Sequence, residues 1–256
     1  MGIGMKNALQ DHVTEYWQKR SNGYCLHNLD ELHGFKKQAW TELILKNSPH
    51  KKRLKILDIG TGPGFFSIIM AMSGHDVWAV DISAEMLLKA ESNAQNYGVK
   101  VNYMLSDVHQ LPFADNSFDV VVSRNVTWNL LQPMSAFTEW RRVLNQSGKL
   151  MYFDANWYLY LFDEGLKQRH DYDFALAQEK GYENDCEPER AKVMENLATS
   201  MPLSREYRPA WDHAALSRCG FNNIYICEDI SELVRDESEK VRYASVPMFM
   251  VTAEKK

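Results

Sequence analysis

The hydrophobic period switches repeatedly between two and 3.6 residues. Short runs rich in β-branched residues, Leu54–Ile59, Asp76–Asp81, Val101–Ser106, Phe118–Ser123 and Lys149–Asp154, read as strands. The segments Gly64–Ser73, Ala84–Tyr97 and Met134–Leu144 read as helices. Strands alternating with helices predict a parallel sheet, and an unbroken apolar run such as Val120–Val122 predicts one buried on both faces. The rhythm lapses after Asp154, through Trp157, Tyr158, Tyr160, Phe162 and a charged helical stretch to Glu206. Helix Pro209–Cys219 restores it, and strands Asn223–Glu228 and Met248–Ala253 close the chain. Ahead of the first strand, Leu9–Lys46 reads as two helical segments around a break at Asn22–Gly23, anchored by Tyr16, Trp17, Tyr24, Leu26 and Phe35. The expected organisation is one domain without repeats. Residues 1–53 form a helical arm or lid, 54–156 a nucleoside-binding core, 157–208 a cap insertion over the substrate site, and 209–256 a helix and strands that complete the sheet.

The chemistry concentrates where the first strand turns into the first core helix. Asp58 is followed by Gly60, Gly62 and Gly64 in the pattern D-x-G-x-G-x-G, and Asp81 ends the next strand. Glycines let the backbone take positive φ and approach a ligand closely, and a helix start offers unpaired N–H groups. A carboxylate at the end of the second strand suits a ribose diol. A dinucleotide fingerprint places its third glycine one residue later, where this chain has Phe65. Asp58 also opposes a pyrophosphate while suiting an ammonium group. Both features favour S-adenosyl-L-methionine over a nicotinamide cofactor.

Four motifs in order, LDIGTGPG, AVDIS, SDVHQLPF and FDVVVSRN, resemble those of the class I S-adenosylmethionine-dependent methyltransferases, in the branch of the ubiquinone and menaquinone C-methyltransferases. The resemblance runs from about Lys55 to Asn156. It implies a Rossmann-like, doubly wound, seven-stranded, mostly parallel sheet with an antiparallel pair at one edge, and an arm that closes over the cofactor. It implies that Gly60 and Gly62, in the loop that also holds Thr61 and Gly64, contact the methionine part. Asp81 would take the ribose, Ile82 would pack on adenine, Asp107 with Val108 would read the adenine edge, and Asn125 would face the methionine moiety. Strand ends of an open α/β sheet converge on one crevice, so Asp58, Asp81, Asp107, Asn125 and Asp154 are expected to line a single site.

Methyl transfer is a direct displacement that needs alignment more than a triad. Catalytic candidates are accordingly few: His27, His33 and His170 as bases in the arm and cap, and Tyr16. Tyr16, Trp17, Trp128, Trp157, Tyr158, Tyr160 and Tyr172 are candidate pocket walls for a sulfonium or a flat acceptor. Arg20 and Arg124 are candidates for a carboxylate of cofactor or acceptor. His170, Asp171, Asp173 and Cys186 lack a diagnostic metal spacing, so no metal is expected.

Composition narrows the partners. The chain has 256 residues, 45% hydrophobic, with a net charge of -5, which does not fit a surface built to neutralise many phosphates. The fourth strand ends in SRNV rather than the N/D-P-P-Y/F of enzymes that methylate adenine amino groups. Four scattered cysteines, no signal-peptide pattern and no span-length apolar run suggest a cytoplasmic protein without a membrane span, monomer or homodimer. The expected function is methyl transfer to a small-molecule acceptor in an enclosed pocket. The competing readings are a tRNA or protein methyltransferase, a non-catalytic S-adenosylmethionine-binding module, and a dehydrogenase.

Overall fold

The computed structural model describes residues 3–182 and 188–256; of residues 3–7, 22, 24, 26, 27 and 188 only the backbone is described. Helices α1 (Ile3–His33) and α2 (Phe35–Asn47) lead into strand β1 (Lys55–Ile59), helix α3 (Phe65–Met72), strand β2 (Asp76–Asp81), helix α4 (Ala84–Asn96) and strand β3 (Asn102–Leu105). Strand β4 (Phe118–Arg124), helix α5 (Pro133–Val143) and strand β5 (Leu144–Ala155) follow. Helices α6 (Glu164–Glu179), α7 (Pro188–Ala198) and α8 (Ala210–Arg218) precede strand β6 (Phe221–Cys227), the short helices α9 (Ser231–Val234) and α10 (Glu237–Arg242), and strand β7 (Met248–Lys255).

The seven strands form one sheet in the order β3-β2-β1-β4-β5-β7-β6. β1 to β5 pair in parallel, and β7 runs antiparallel to both β5 and β6. The chain leaves β1 in one direction and returns to β4 on its other side, so the connections diverge there and open a crevice beyond the strand ends.

Alternation along the strands sorts the core into two layers. Ile56, Val120, Val122 and Phe153 face Trp40 and Ile44 of α2 and the apolar face of α3. Leu57, Ile59, Val121 and Tyr152 face Phe137 and Trp140 of α5 and Leu216 of α8. Both faces are therefore covered, which is why the central strands tolerate no polar alternation.

Two expectations need correction. The arm does not break at Asn22–Gly23: α1 runs unbroken to His33, and the interruption falls at Gly34, whose backbone is extended (ψ -172). An interior glycine costs only about 1 kcal/mol relative to alanine, which the packing of α1 on α4 and α3 can offset. β5 also begins earlier than expected, at Leu144. Leu144 pairs with Phe118 across an irregularity that Ser147 absorbs at φ 61. Among the described residues no helix is long and apolar enough to cross a membrane.

Candidate active site

The floor of the crevice is the turn from β1 to α3. Gly60, Gly62 and Gly64 all have positive φ, and a Cβ on Gly60 would lie 2.3 Å from Val126 Cγ2. The turn is fixed from below by Asp58. Its Oδ2 accepts from Thr61 Oγ1 at 2.6 Å and from the Ser67 backbone N–H at 3.0 Å. Burial pushes the Asp58 carboxyl up to about 7, against the pull of those two bonds. Asp58 thus braces the loop rather than facing the larger cleft.

Asp81, at the end of β2, is buried and accepts from Gly62 N–H and Ser83 N–H, both at 2.9 Å. Burial raises its pKa, and these backbone donors oppose the rise. A carboxylate offers about four acceptor sites, so two backbone bonds leave capacity for a diol. Ile82 and Met86 add an apolar surface beside it. After β3, Asp107 Oδ1 accepts from the backbone and the ring Nδ1 of His109, so its first use is to shape its own turn. That turn is tied to α5 by Trp140 Nε1, which donates to Val108 O at 3.0 Å.

The end of β4 carries the strongest local signal. Asn125 sits at φ 58, and its Oδ1 is sealed from solvent without a hydrogen-bond partner. A left-handed asparagine with an orphaned buried acceptor is a costly arrangement of the sort that collects at ligand sites. Beside it, Arg124 makes a bidentate pair with Glu31 of α1 (3.0 and 2.7 Å) and lies over the Trp40, Phe65 and Phe66 rings.

These groups line a cleft that includes Gly60, Gly62, Asp81, Ile82, Asp107, Val108 and Asn125. A smaller space, bordered by Asn28, Asp58, Thr61 and Phe65, adjoins it through the shared Gly60 and Arg124. Gly64 caps α3 rather than lining either space; a Cβ there would meet Ala90 and the Tyr103 hydroxyl at 3.1–3.2 Å.

Other candidates lie elsewhere. On α1 the residues that line the cleft are Gln10, Val13 and Trp17. Tyr16 and Arg20 bond each other (3.0 Å), and Tyr16 packs with Trp128, Met194 and Ala198. Asp154 does not join the cleft: it is consumed by Thr127, Trp128 N–H, Trp157 Nε1 and Arg208, within a buried cluster that includes Asp212 and Tyr152. His170 is stacked on Tyr160 (3.8 Å between centroids) and against Phe174, and burial lowers its pKa. His33 is held by Leu29 O and Tyr97. Trp128 and Tyr158 pack on each other with tilted rings, Tyr160 bonds Glu195, and Tyr172 is exposed. The His27 side chain and Cys186 lie outside the described residues.

Sequence reasoning missed His109, Met86, Leu130, Glu31 and the Gln10–Val13 pair. The i, i+3, i+7 spacing of Gln10, Val13 and Trp17 was the available signal for one α1 face, and it was overshadowed by the neighbouring aromatics.

The chain is similar to known methyltransferases. Residues 57–152 match the methyltransferase domain family. The chain is 29% identical over 198 residues to the ubiquinone/menaquinone biosynthesis C-methyltransferase of Haemophilus ducreyi, covering 73% of each chain. It is 34% identical over 114 residues to that of Bdellovibrio bacteriovorus, covering 44% of this chain and 48% of the relative. Thus the match spans about half of one relative's length and nearly three quarters of the other's. A methyltransferase of Haloferax volcanii, solved in complex with the Trm112 activator, shares the fold with a TM-score of 0.63 at 17% identity, covering 93% of this chain and 96% of that one.

Proposed function

The chain carries a class I S-adenosylmethionine-dependent methyltransferase domain of the ubiquinone/menaquinone C-methyltransferase-like branch, and from that premise we propose that it methylates a small molecule. The observation that carries this reading is the meeting, across one cleft, of the glycine loop, Asp81 and the orphaned Asn125 Oδ1. In this reading Asp81 accepts from the ribose hydroxyls, and Ile82 and Met86 form the apolar bed for the base. Gly60 and Gly62 admit the methionine part against backbone, and Asn125 accepts from its ammonium group. The bound cofactor supplies an electrophilic methyl on a sulfonium.

What the chain contributes is alignment and exclusion of water. Trp17 and Val13 of α1 line the cleft together with Val126 and Leu130, so the acceptor meets an apolar wall. In the displacement, an electron pair of the acceptor forms the new bond to the methyl carbon as the carbon–sulfur bond breaks, its electrons returning to sulfur. An acceptor that keeps a proton at the attacking atom releases it to water afterwards. We place the arm (residues 1–53) and the insertion (157–208) as the two sides of the acceptor entrance.

The relatives named for quinone biosynthesis favour carbon as the atom methylated and a flat aromatic acceptor, which the apolar wall suits. Incubation with methyl-labelled S-adenosylmethionine and a panel of phenols, quinols, amines and thiols, with tRNA and cell protein as separate acceptors, tests this. Label recovered on carbon of a quinol or phenol supports the reading, and transfer confined to tRNA or protein refutes it.

A further inference from the structure

One buried carboxylate holds both a wall of the cleft and the two ends of the insertion. Asp154 Oδ2, at the end of β5, accepts from the Thr127 hydroxyl and, at 2.9 Å, from the Trp128 backbone N–H. Its Oδ1 accepts from Trp157 Nε1 at 2.9 Å, where the insertion begins. Arg208, where the insertion ends, donates from Nη2 to Thr127 Oγ1 at 2.6 Å and from Nη1 to Asp154 Oδ2 at 3.3 Å. The same guanidinium donates to both oxygens of Asp212 on α8, at 2.9 and 2.7 Å, and the Tyr152 hydroxyl donates to that carboxylate at 2.6 Å. The Arg208 and Asp154 side chains are 1% exposed and that of Asp212 0%, and none of the three lines the cleft. Taking such charges out of water costs as much as their attraction returns, and apolar side chains of similar volume hold a fold at least as well. Stability alone therefore does not account for the cluster.

What the cluster holds is the loop after β4. Asn125 N–H donates to Phe153 O at 2.9 Å, and Asn125 O accepts from Trp128 Nε1 at 3.0 Å, so the left-handed turn at Asn125 is clamped between β5 and Trp128. Asp154 in turn grips Trp128 by its backbone, and Asp154 and Arg208 together grip Thr127. On either side of this grip, Asn125, Val126, Asn129 and Leu130 line the cleft. A residue with Cβ stays in a left-handed conformation only where its surroundings over-determine it. We propose that Arg208 is a positioning residue for the methyl donor: with Asp154 it fixes the Thr127 hydroxyl, and through that loop it holds Asn125 in the conformation that meets the cofactor. This rests on the cofactor reading above. A hydroxyl is the group the junction needs at position 127, because it donates to Asp154 and accepts from Arg208 at the same time.

The test is titration of the full chain with S-adenosylhomocysteine, with thermal midpoints alongside, for wild type, Arg208→Lys, Thr127→Val, Thr127→Ser and Asn125→Ala, and for the first two substitutions combined with Asn125→Ala. Arg208→Lys keeps the charge between the two carboxylates, but a single ammonium cannot span Thr127 and Asp212 as the guanidinium fork does, and affinity should fall about tenfold. Thr127→Val removes only the hydroxyl, should lose about as much, and provides the comparison if the lysine variant does not fold. Thr127→Ser keeps the hydroxyl and should stay within about threefold of wild type. Asn125→Ala should itself lose about tenfold, and in that background Arg208→Lys or Thr127→Val should cost less than about twofold more, because their effect passes through Asn125. A cluster that only stabilises the fold would lower the midpoints and leave affinity unchanged, or would weaken binding equally with and without Asn125; either result overturns the assignment. So does a loss in Thr127→Ser as large as in Thr127→Val, or wild-type affinity in Asn125→Ala. Failure of wild type to bind S-adenosylhomocysteine overturns the cofactor reading itself, a separate result.

Discussion

Replacing Gly60 by alanine probes the tightest point of the cleft floor. Gly60 has φ 64, and an added methyl would lie 2.3 Å from Val126 Cγ2 and 3.3 Å from Val126 Cγ1. The left-handed backbone costs a residue with Cβ roughly 1–2 kcal/mol. The overlap adds about 1–3 kcal/mol, because valine is stiff at χ1 and cannot easily swing aside. Their sum, about 2–5 kcal/mol, corresponds to a melting point lower by roughly 4–20 °C for a chain near this size. Calorimetric melts of Gly60→Ala, Val126→Ala and the double variant separate the two parts. Removing the valine methyls should recover the overlap share, giving a favourable coupling of about 1–3 kcal/mol, while the φ share persists. Additive effects of the two substitutions would refute the close approach, and a melting point unchanged in Gly60→Ala would refute both contributions.

Other perturbations report on the buried charges around the cleft. Asp58 has a carboxyl raised from 3.8 to about 7 in the folded state. The folded chain therefore keeps a proton that the unfolded chain releases, and this group's contribution is present below about pH 4 and lost as pH climbs through 7. Urea midpoints at pH 5 and pH 8 should fall more steeply for wild type than for Asp58→Asn, by on the order of a few kcal/mol; parallel profiles would contradict the raised value. Glu31→Gln removes one charge from the pair with Arg124, both side chains being nearly buried, and should cost about 3–5 kcal/mol with faster proteolysis in α1; an unchanged denaturation midpoint would remove the pair from the account. Arg208→Met strands the Asp154 and Asp212 carboxylates in a fully buried site and should destabilise by at least about 3 kcal/mol at neutral pH, with part of the loss recovered in acid as Asp154, whose pKa burial raises, protonates.

The sheet was legible because its signals are local and repeated. Val120–Val122 and Val77–Val80 could only be strands buried on both faces, and the glycine spacing from Gly60 to Gly64 fixes the turn that joins β1 to α3. Asp81 and Asn125 were placed by their position at strand ends, since topology brings strand ends together whatever lies between them. The arm was harder to read. Gly23 looked like a helix break because propensity is a weak prior that tertiary packing overrides, and Gln10 and Val13 were passed over because the neighbouring aromatics overshadowed the i, i+3, i+7 spacing that marks the inward face of α1. Asp154 obeys the strand-end rule but meets Arg208, which is 54 residues away in sequence, and no local pattern announces such a partner. His109 was passed over because its place in the cleft wall and its hydrogen bond to Asp107 are properties of geometry rather than of residue type.

Binding of the methyl donor tests the central claim most directly. Calorimetric titration with S-adenosylmethionine, and separately with NADH, should give saturable binding of the first alone. Asp81→Ala should weaken that binding by about 1–3 kcal/mol, the cost of leaving ribose hydroxyls without their acceptor. Binding of NADH without binding of S-adenosylmethionine, or unchanged affinity in Asp81→Ala, would contradict the account.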